Sequence, residues 1–480
     1  MKTNPRSGQS QQRERNKLSA DAVKKRIQNA PFGEKTKDWA RKWVEYESVG
    51  GVGLGLFNVA PIMERAHGPF LYDADGKEYL DFLSGFSVSS LGNNYPEINE
   101  IFKKQAENLT HYFDLPHVER VKLAEKLCKN SKISGKTKVM FGVTGSDAIE
   151  LAVRAARYYT GQPYILTAYG DYHGVTYGTM GLTSKGNMQP YFYPVRPNVD
   201  VGYIPFPHAY RSPSDPYPGF DLSSLKLFEK MLDGKETPYT DGVYGICNVA
   251  AILVEPFQSS AGYYIPPREY LKELRRIADK FGMLLIVDEI QAGLGRSGKL
   301  WAFEHSQIEP DMICTSKALG GGLPLSAVIA RAEILEEWGP GAHVSTQAGN
   351  VLACAAGNYV LDVFSSESFL KKVNEAGAHL LQGLRSLEEK HKIVGYIDNT
   401  GLYTGVELVK DRKTKEPASE AALFVRDQCV EEGLLFEKGG YYHNRLQLIP
   451  PLNIGRSELD RALAIFDRVF GAAEKKFAIR

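Results

Sequence analysis

Between residues 135 and 335 the chain alternates short apolar runs with helical patterns, and this alternation constrains the fold more than any other feature. The runs are "KVMFG" (138–142), "YILTA" (164–168), "VAAILVEP" (249–256), "GMLLIVDE" (282–289) and "DMICT" (311–315), with another in "LPLSAVIA" (323–330). Apolar residues at nearly every position mark strands covered on both faces. Between the runs, "SDAIELAVRAARYYTG" sets Ile149, Val153, Ala156 and Tyr159 at spacings of three and four, on one face of a helix. "REYLKELRRIADKFG" is a second amphipathic helix. Strands linked by such helices predict an α/β fold around a mainly parallel sheet.

Beyond this region the pattern changes. Helical stretches near 366–392, 416–432 and 457–475 flank short strands at 403–409 and 445–450, which predicts a smaller α+β domain. "GPFLYDADGKEYLDF" (68–82) reads as a hairpin turning at Asp73–Gly76, placed to join that domain from the N-terminal side. The proline-rich stretch 195–219 reads as a long surface excursion. The expected division is a flexible arm at 1–30, an N-terminal part of the small domain at 31–90, a large domain at 91–365 and the C-terminal small domain at 366–480.

The formal net charge of +1 gives no whole-chain attraction to nucleic acid or to a membrane surface. No apolar run approaches the ~18 residues that span a bilayer. The five cysteines (128, 247, 314, 354 and 429) are scattered without a CxxC pair, so neither a disulfide framework nor a metal site is expected. That usage suits a reducing compartment, and a cytoplasmic location is expected. The first residues, "MKTNPRSGQSQQRERNKLSADAVKKR", are polar and basic and lack the apolar core of a secretory signal. They read as a mobile or subunit-contacting arm.

In an open parallel sheet, ligands bind where strands end at their carboxyl termini. Three features fall at such ends. "GVTGSDA" (142–148) turns from strand into helix, where free N–H groups and the helix dipole favour a phosphate; Ser146 could instead be a plain helix cap. Asp288 closes a buried strand and needs a cation or several donors, unless it caps a turn. Lys317 also follows a buried strand, and either serves chemistry there or snorkels to the surface. A phosphate cradle, a buried aspartate and a buried lysine together match the needs of pyridoxal phosphate. The glycines after Lys317 are expected to let backbone approach that cofactor.

These residues carry a family resemblance. The segments "ILVEPFQSSAGYYIPP" and "LLIVDEIQAGLGRSGKLWAFEHSQIEPDMICTSKALGGGLPLSAV" resemble the class-III pyridoxal-phosphate aminotransferases, the 4-aminobutyrate and ornithine aminotransferase group with its epimerase and lyase relatives. The resemblance runs from about residue 55 to 475. It implies the fold-type I architecture, with a seven-stranded sheet in a large domain and a small domain built from both chain ends. It also implies a homodimer or tetramer with shared active sites, acting on a small amine or amino acid. By motif position, Lys317 matches the Schiff-base lysine, Asp288 the partner of the pyridine nitrogen, and Gln291 the neighbour of the phenolic oxygen. Gly145 and Ser146 match the phosphate cradle. Tyr172 and His173 match the aromatic–His–Gly motif, with Tyr172 stacked on the ring. Glu255 matches an active-site glutamate, and Thr346 a hydroxyl lent to the phosphate of the neighbouring subunit.

The substrate side departs from the pattern. Where the family's small domain carries an arginine for the substrate α-carboxylate, "RLQLIPPLN" holds Gln447. A neutral amide cannot make arginine's bidentate ionic grip. Arg445 lies two residues earlier on the same strand face and is the candidate substitute. Phe86 stands where decarboxylating relatives have glutamine, and Tyr441 is a further candidate substrate contact. The expected reaction is amino transfer from a small amine or amino acid to a keto acid, through a Schiff base on Lys317. The alternatives are elimination from a phosphate- or phosphonate-bearing amine and, third, epimerisation of an amino acid.

Overall fold

The computed structural model describes residues 20–48, 61–113, 115–184, 200–211, 223–235, 237–241 and 247–479. Most of the expected arm and much of the 195–219 excursion lie outside these residues. Seven strands form the central sheet: β1 (Thr137–Gly142), β2 (Tyr164–Ala168), β3 (Val201–Ile204), β4 (Val249–Val254), β5 (Leu284–Asp288), β6 (Met312–Thr315) and β7 (Ser326–Arg331). Their order is β1-β7-β6-β5-β4-β2-β3. All neighbours are parallel except β7, which is antiparallel to both β1 and β6. Only residues 316–325 join β6 to β7, too few for the crossover that a parallel neighbour needs.

The apolar runs are buried on both faces, as their composition predicts. Leu284 and Ile286 of β5 pack with helix α1 (Gly145–Thr160), while Leu285 and Val287 face the side of helix α2 (Arg268–Phe281). In α1, Ile149, Val153 and Ala156 are buried, but Tyr159 is 38% exposed in the last turn, beside the left-handed cap at Gly161. The start of α1 is set by a capping box. Thr144 Oγ1 accepts the Asp147 N–H, and Asp147 Oδ2 accepts the N–H groups of Val143 and Thr144.

The chain's two ends meet in the smaller part of the molecule. Strands 70–73 and 78–81 form the expected hairpin, closed by Gly76 N–H to Asp73 O at 2.8 Å. Leu434 and Leu435 then add in parallel to the second hairpin strand, and Ser84 Oγ donates to Ile449 O. A mainly antiparallel sheet of strands 394–400, 403–411, 445–448 and 437–439 is covered by helices 367–390, 419–431 and 456–477. The expectation of a flexible arm through residue 30 does not hold for residues 20–29. Ala20–Asn29 is a helix whose Val23 and Ile27 bury against the helix at Glu34–Tyr46. Its apolar positions are four apart and were masked in the sequence by the surrounding lysines and arginines.

Candidate active site

Strands β1, β2, β4, β5 and β6 all end at the same edge of the sheet, since β1 and β6 are each antiparallel to β7. The segments that follow those ends enclose a cavity of about 170 Å³. Its walls include Gly145 and Ser146 after β1, Tyr172 and His173 after β2, Glu255 after β4, Asp288 and Gln291 from β5 onward, and Lys317 after β6. Residues dispersed over more than 170 positions in sequence are thus brought to one place.

Lys317 opens a tight turn (Lys317–Gly320) with φ of +48°, a backbone conformation that costs a non-glycine residue free energy. Its Nζ donates to Gln291 Oε1 at 2.6 Å, and Gln291 Nε2 donates to the Tyr263 hydroxyl at 2.7 Å. Burial holds the amine at about 8, well below the ordinary lysine value; Asp288 and Glu255 pull the other way. The glycine run has a different use from the one expected. Gly321 has φ of +61°, and a Cβ there would lie 2.9 Å from Ala356 of the helix Val351–Phe364. Neither Gly321 nor Gly322 lines the cavity; both face away from it and serve the turn.

Asp288 is buried, with Oδ2 at 2.8 Å from His173 Nδ1 and Oδ1 accepting the Ile290 N–H at 3.0 Å. His173 thus lines the cavity beside Asp288 and holds that carboxylate through Nδ1. Its other nitrogen lies 3.0 Å from Thr167 Oγ1 and 3.6 Å from Asp171 Oδ2. The two carboxylates outweigh burial and raise the imidazole to about 10. Glu255 Oε1 accepts the Tyr172 N–H at 2.7 Å, and Oε2 accepts from the N–H and hydroxyl of Ser259. Burial first, then the charges of Asp171 and Asp288, push its carboxyl up to about 8.

The family model for class-III aminotransferases matches residues 57–470. The chain belongs to the class-III aminotransferase family. A leucine/methionine racemase from Thermococcus litoralis is 37% identical over 87% of this chain and 92% of its own length. The 5-aminovalerate aminotransferase of Pseudomonas aeruginosa is 32% identical over 87% of this chain and 96% of its own. Among solved structures, a Bacillus anthracis aminotransferase superposes with a TM-score of 0.81 at 29% identity, covering 92% of this chain and all of that one.

The cofactor of this class-III family member is pyridoxal phosphate. The residues present fit it. The first N–H groups of α1, at Gly145 and Ser146, have no acceptor within the helix and can hold a phosphate. A Cβ at Gly174 would run into Ser146 Oγ, so that glycine lets the segment after β2 close on the cradle. Asp288 offers a carboxylate to a ring nitrogen, Tyr172 a half-buried aromatic face, and Lys317 an amine in the same cavity.

The residues expected to contact substrate behave differently. Arg445 is fully buried and its charge is already committed. Nη2 pairs with Asp398 at 2.6 Å and Nη1 with Glu407 at 3.1 Å, while Nε and Nη2 donate to the carbonyls of Gly262 and Tyr263. All three guanidinium nitrogens are engaged by these groups, so the expected substitution for the missing arginine does not hold. Gln447 is buried too, with Nε2 donating to Ser259 O at 2.8 Å. Tyr441 stacks on Tyr264 and donates to Tyr169 O, and does not line the cavity. Phe86 is half-buried at φ +56° in a segment that packs against the Lys317 turn. Thr346 is exposed and does not line the cavity of its own chain.

Sequence reasoning missed Ser259, which lines the cavity, and Thr167, Asp171, Gln258 and Tyr263, which hold the cavity residues from behind. Asp171 sits two residues before His173 in "GDYHG", and Gln258 three after Glu255 in "EPFQS". A buried polar residue next to a strand-end motif was the available signal.

Proposed function

We propose that this family member is an aminotransferase that moves the amino group of a small amine or amino acid to a keto acid, with Lys317 as proton carrier. Pyridoxal phosphate, when bound, supplies the sink for the electron pair left on the substrate carbon. Gly145 and Ser146 would hold its phosphate, and Asp288 would face its ring nitrogen. Tyr172 would cover one ring face. The Lys317 amine, held near 8 by burial, is partly neutral around physiological pH and can both take and return a proton. Its hydrogen bond to Gln291 aims it across the cavity.

One observation carries the choice of transfer. Among the described residues, Lys317 is the one amine lining the cavity. Transfer needs a proton removed from the substrate carbon and returned, on the same face, to the carbon across the shared nitrogen, which a single base can do. Epimerisation needs protons handled on opposite sides of the same carbon. The commitments of Arg445 and Gln447 further favour donors whose acid group, if present, is not gripped by the strand 445–448. The 37% identity to a leucine/methionine racemase supports epimerisation as the second reading.

The experiment incubates purified, cofactor-loaded enzyme with amines and L-amino acids in deuterated buffer, with and without pyruvate or 2-oxoglutarate. Transfer yields keto product in proportion to acceptor, without loss of optical purity in the recovered donor. Racemised, deuterated donor appearing without acceptor would select epimerisation, and ammonia without acceptor would reject both.

A further inference from the structure

Behind Asp288 lies a second buried carboxylate that the reading above does not use. Asp171 is fully buried, and its carboxylate oxygens meet an amide, a backbone N–H and an imidazole. Oδ1 accepts Gln258 Nε2 at 2.8 Å, Oδ2 accepts the Glu255 N–H at 3.1 Å, and Oδ2 lies 3.6 Å from His173 Nε2. A buried carboxylate surrounded by donors is an acceptor, and an enclosed negative charge requires a cation close by. His173 is that cation. Its Nδ1 is turned to Asp288, so one imidazole is shared between two carboxylates.

Two carboxylates thus flank one imidazole, one at each ring nitrogen, and of the two Asp288 is the one that reaches the cavity. Burial raises the Asp171 carboxyl, while His173 and its hydrogen-bond donors act against that. The other titratable groups nearby are Glu255 and Lys317 in the cavity wall, and the phenols of Tyr270, Tyr403 and Tyr441 on Asp171's side, all raised and uncharged at neutral pH. None of them can replace Asp171 as the second anion on the imidazole.

We propose that Asp171 is a positioning residue for the cofactor: by occupying the far side of His173, it leaves Asp288 with an uncancelled negative charge to offer the ring nitrogen. Without Asp171, the imidazole and Asp288 neutralise each other, and the ring loses its counter-charge. The inference rests on the family's cofactor alone and is indifferent to whether transfer or epimerisation follows.

The test compares wild type, Asp171→Asn, His173→Gln and the double variant as cofactor-loaded full chains. It reads the cofactor dissociation constant and the visible cofactor absorbance between pH 6 and 10. Asp171→Asn should weaken cofactor binding by about tenfold. It should also move the inflection that reports His173 at least one unit lower, since the imidazole loses one of its two anions. In the His173→Gln background, replacing Asp171 should change affinity by less than about twofold. A loss that is uniform across pH, or equal in both backgrounds, marks Asp171 as merely structural and overturns the proposal. Thr167→Val is the second variant, because that hydroxyl is the competing partner of Nε2. Affinity within about twofold of wild type supports Asp171 as the partner that matters. A tenfold loss assigns the role to Thr167 and overturns the proposal even if Asp171→Asn does not fold.

Discussion

A single side chain decides whether the cavity has chemistry. Lys317 is held by Gln291, desolvated, and set in a strained turn. Lys317→Ala should abolish the visible cofactor band and lower turnover by at least ~10³-fold, because no other amine lines the cavity among the described residues. A band that persists in the variant rejects the assignment. Glu255 gives a prediction of a different kind, in the cofactor-free protein. Folded, its carboxyl keeps its proton up to about 8; unfolded, it releases it near its ordinary value of 4.5. Between those values the native state binds the extra proton, so the stability this group contributes is complete below about 4.5 and gone above about 8. Glu289 and His173, also raised, act in the same direction over their own ranges, whereas lowered Lys317 acts oppositely above about 8. His208 and His305, lowered by burial to about 3 and about 4, act oppositely below about 6.5, so melting temperature should fall from pH 6.5 to pH 8, and Glu255→Gln should flatten that slope. An unchanged slope in the variant would show that Glu255 titrates normally.

At the scale of elements, legibility followed burial. The strands of the large sheet were readable because two covered faces leave only apolar residues, and their polar ends announced Asp288 and Lys317. The small antiparallel sheet was harder. Its strand 445–448 reads "RLQL", and periodicity alone placed Arg445 and Gln447 on the substrate-facing side without saying what already stood there. Strands 394–400 and 403–411 bring Asp398 and Glu407 to that face, two carboxylates in separate strands that no local pattern pairs with Arg445. The energetic consequence is testable. Arg445→Met leaves buried Asp398 without its cation and Glu407 with Arg211 alone, and should cost about 3–5 kcal/mol of stability at neutral pH. Asp398 is already pushed up to about 6 by burial, so acidifying to pH 5 lets it protonate and should recover part of the loss. Equal destabilisation at both pH values, measured by denaturant unfolding, would argue that packing rather than charge dominates.

In the whole molecule, the large sheet, the C-terminal domain and the N-terminal segment converge on Arg296. It lies in the turn region after β5, fully buried, with no carboxylate in contact among the described residues. Nη1 donates to Leu402 O and Pro450 O in the C-terminal part, and Nη2 to Ser90 Oγ at 3.1 Å in the N-terminal segment. Burial lowers its guanidinium to about 10, still charged at neutral pH. Nothing in "GLGRSGK" separates this arginine from a surface one, because its acceptors lie about 110 to 200 residues away in the chain. That distance makes it a joint. The segment it holds through Ser90 begins at residue 84 and packs against the turn bearing Lys317. Arg296→Met keeps the apolar stem but leaves two buried carbonyls and a hydroxyl without their donor, a loss of about 1–3 kcal/mol for each unsatisfied group. The expected outcome is a lower melting temperature together with faster amide exchange in residues 84–91, while exchange in β4 and β5 stays slow. Uniform acceleration across all three parts would instead mean that they unfold as one unit and that Arg296 holds no separable joint.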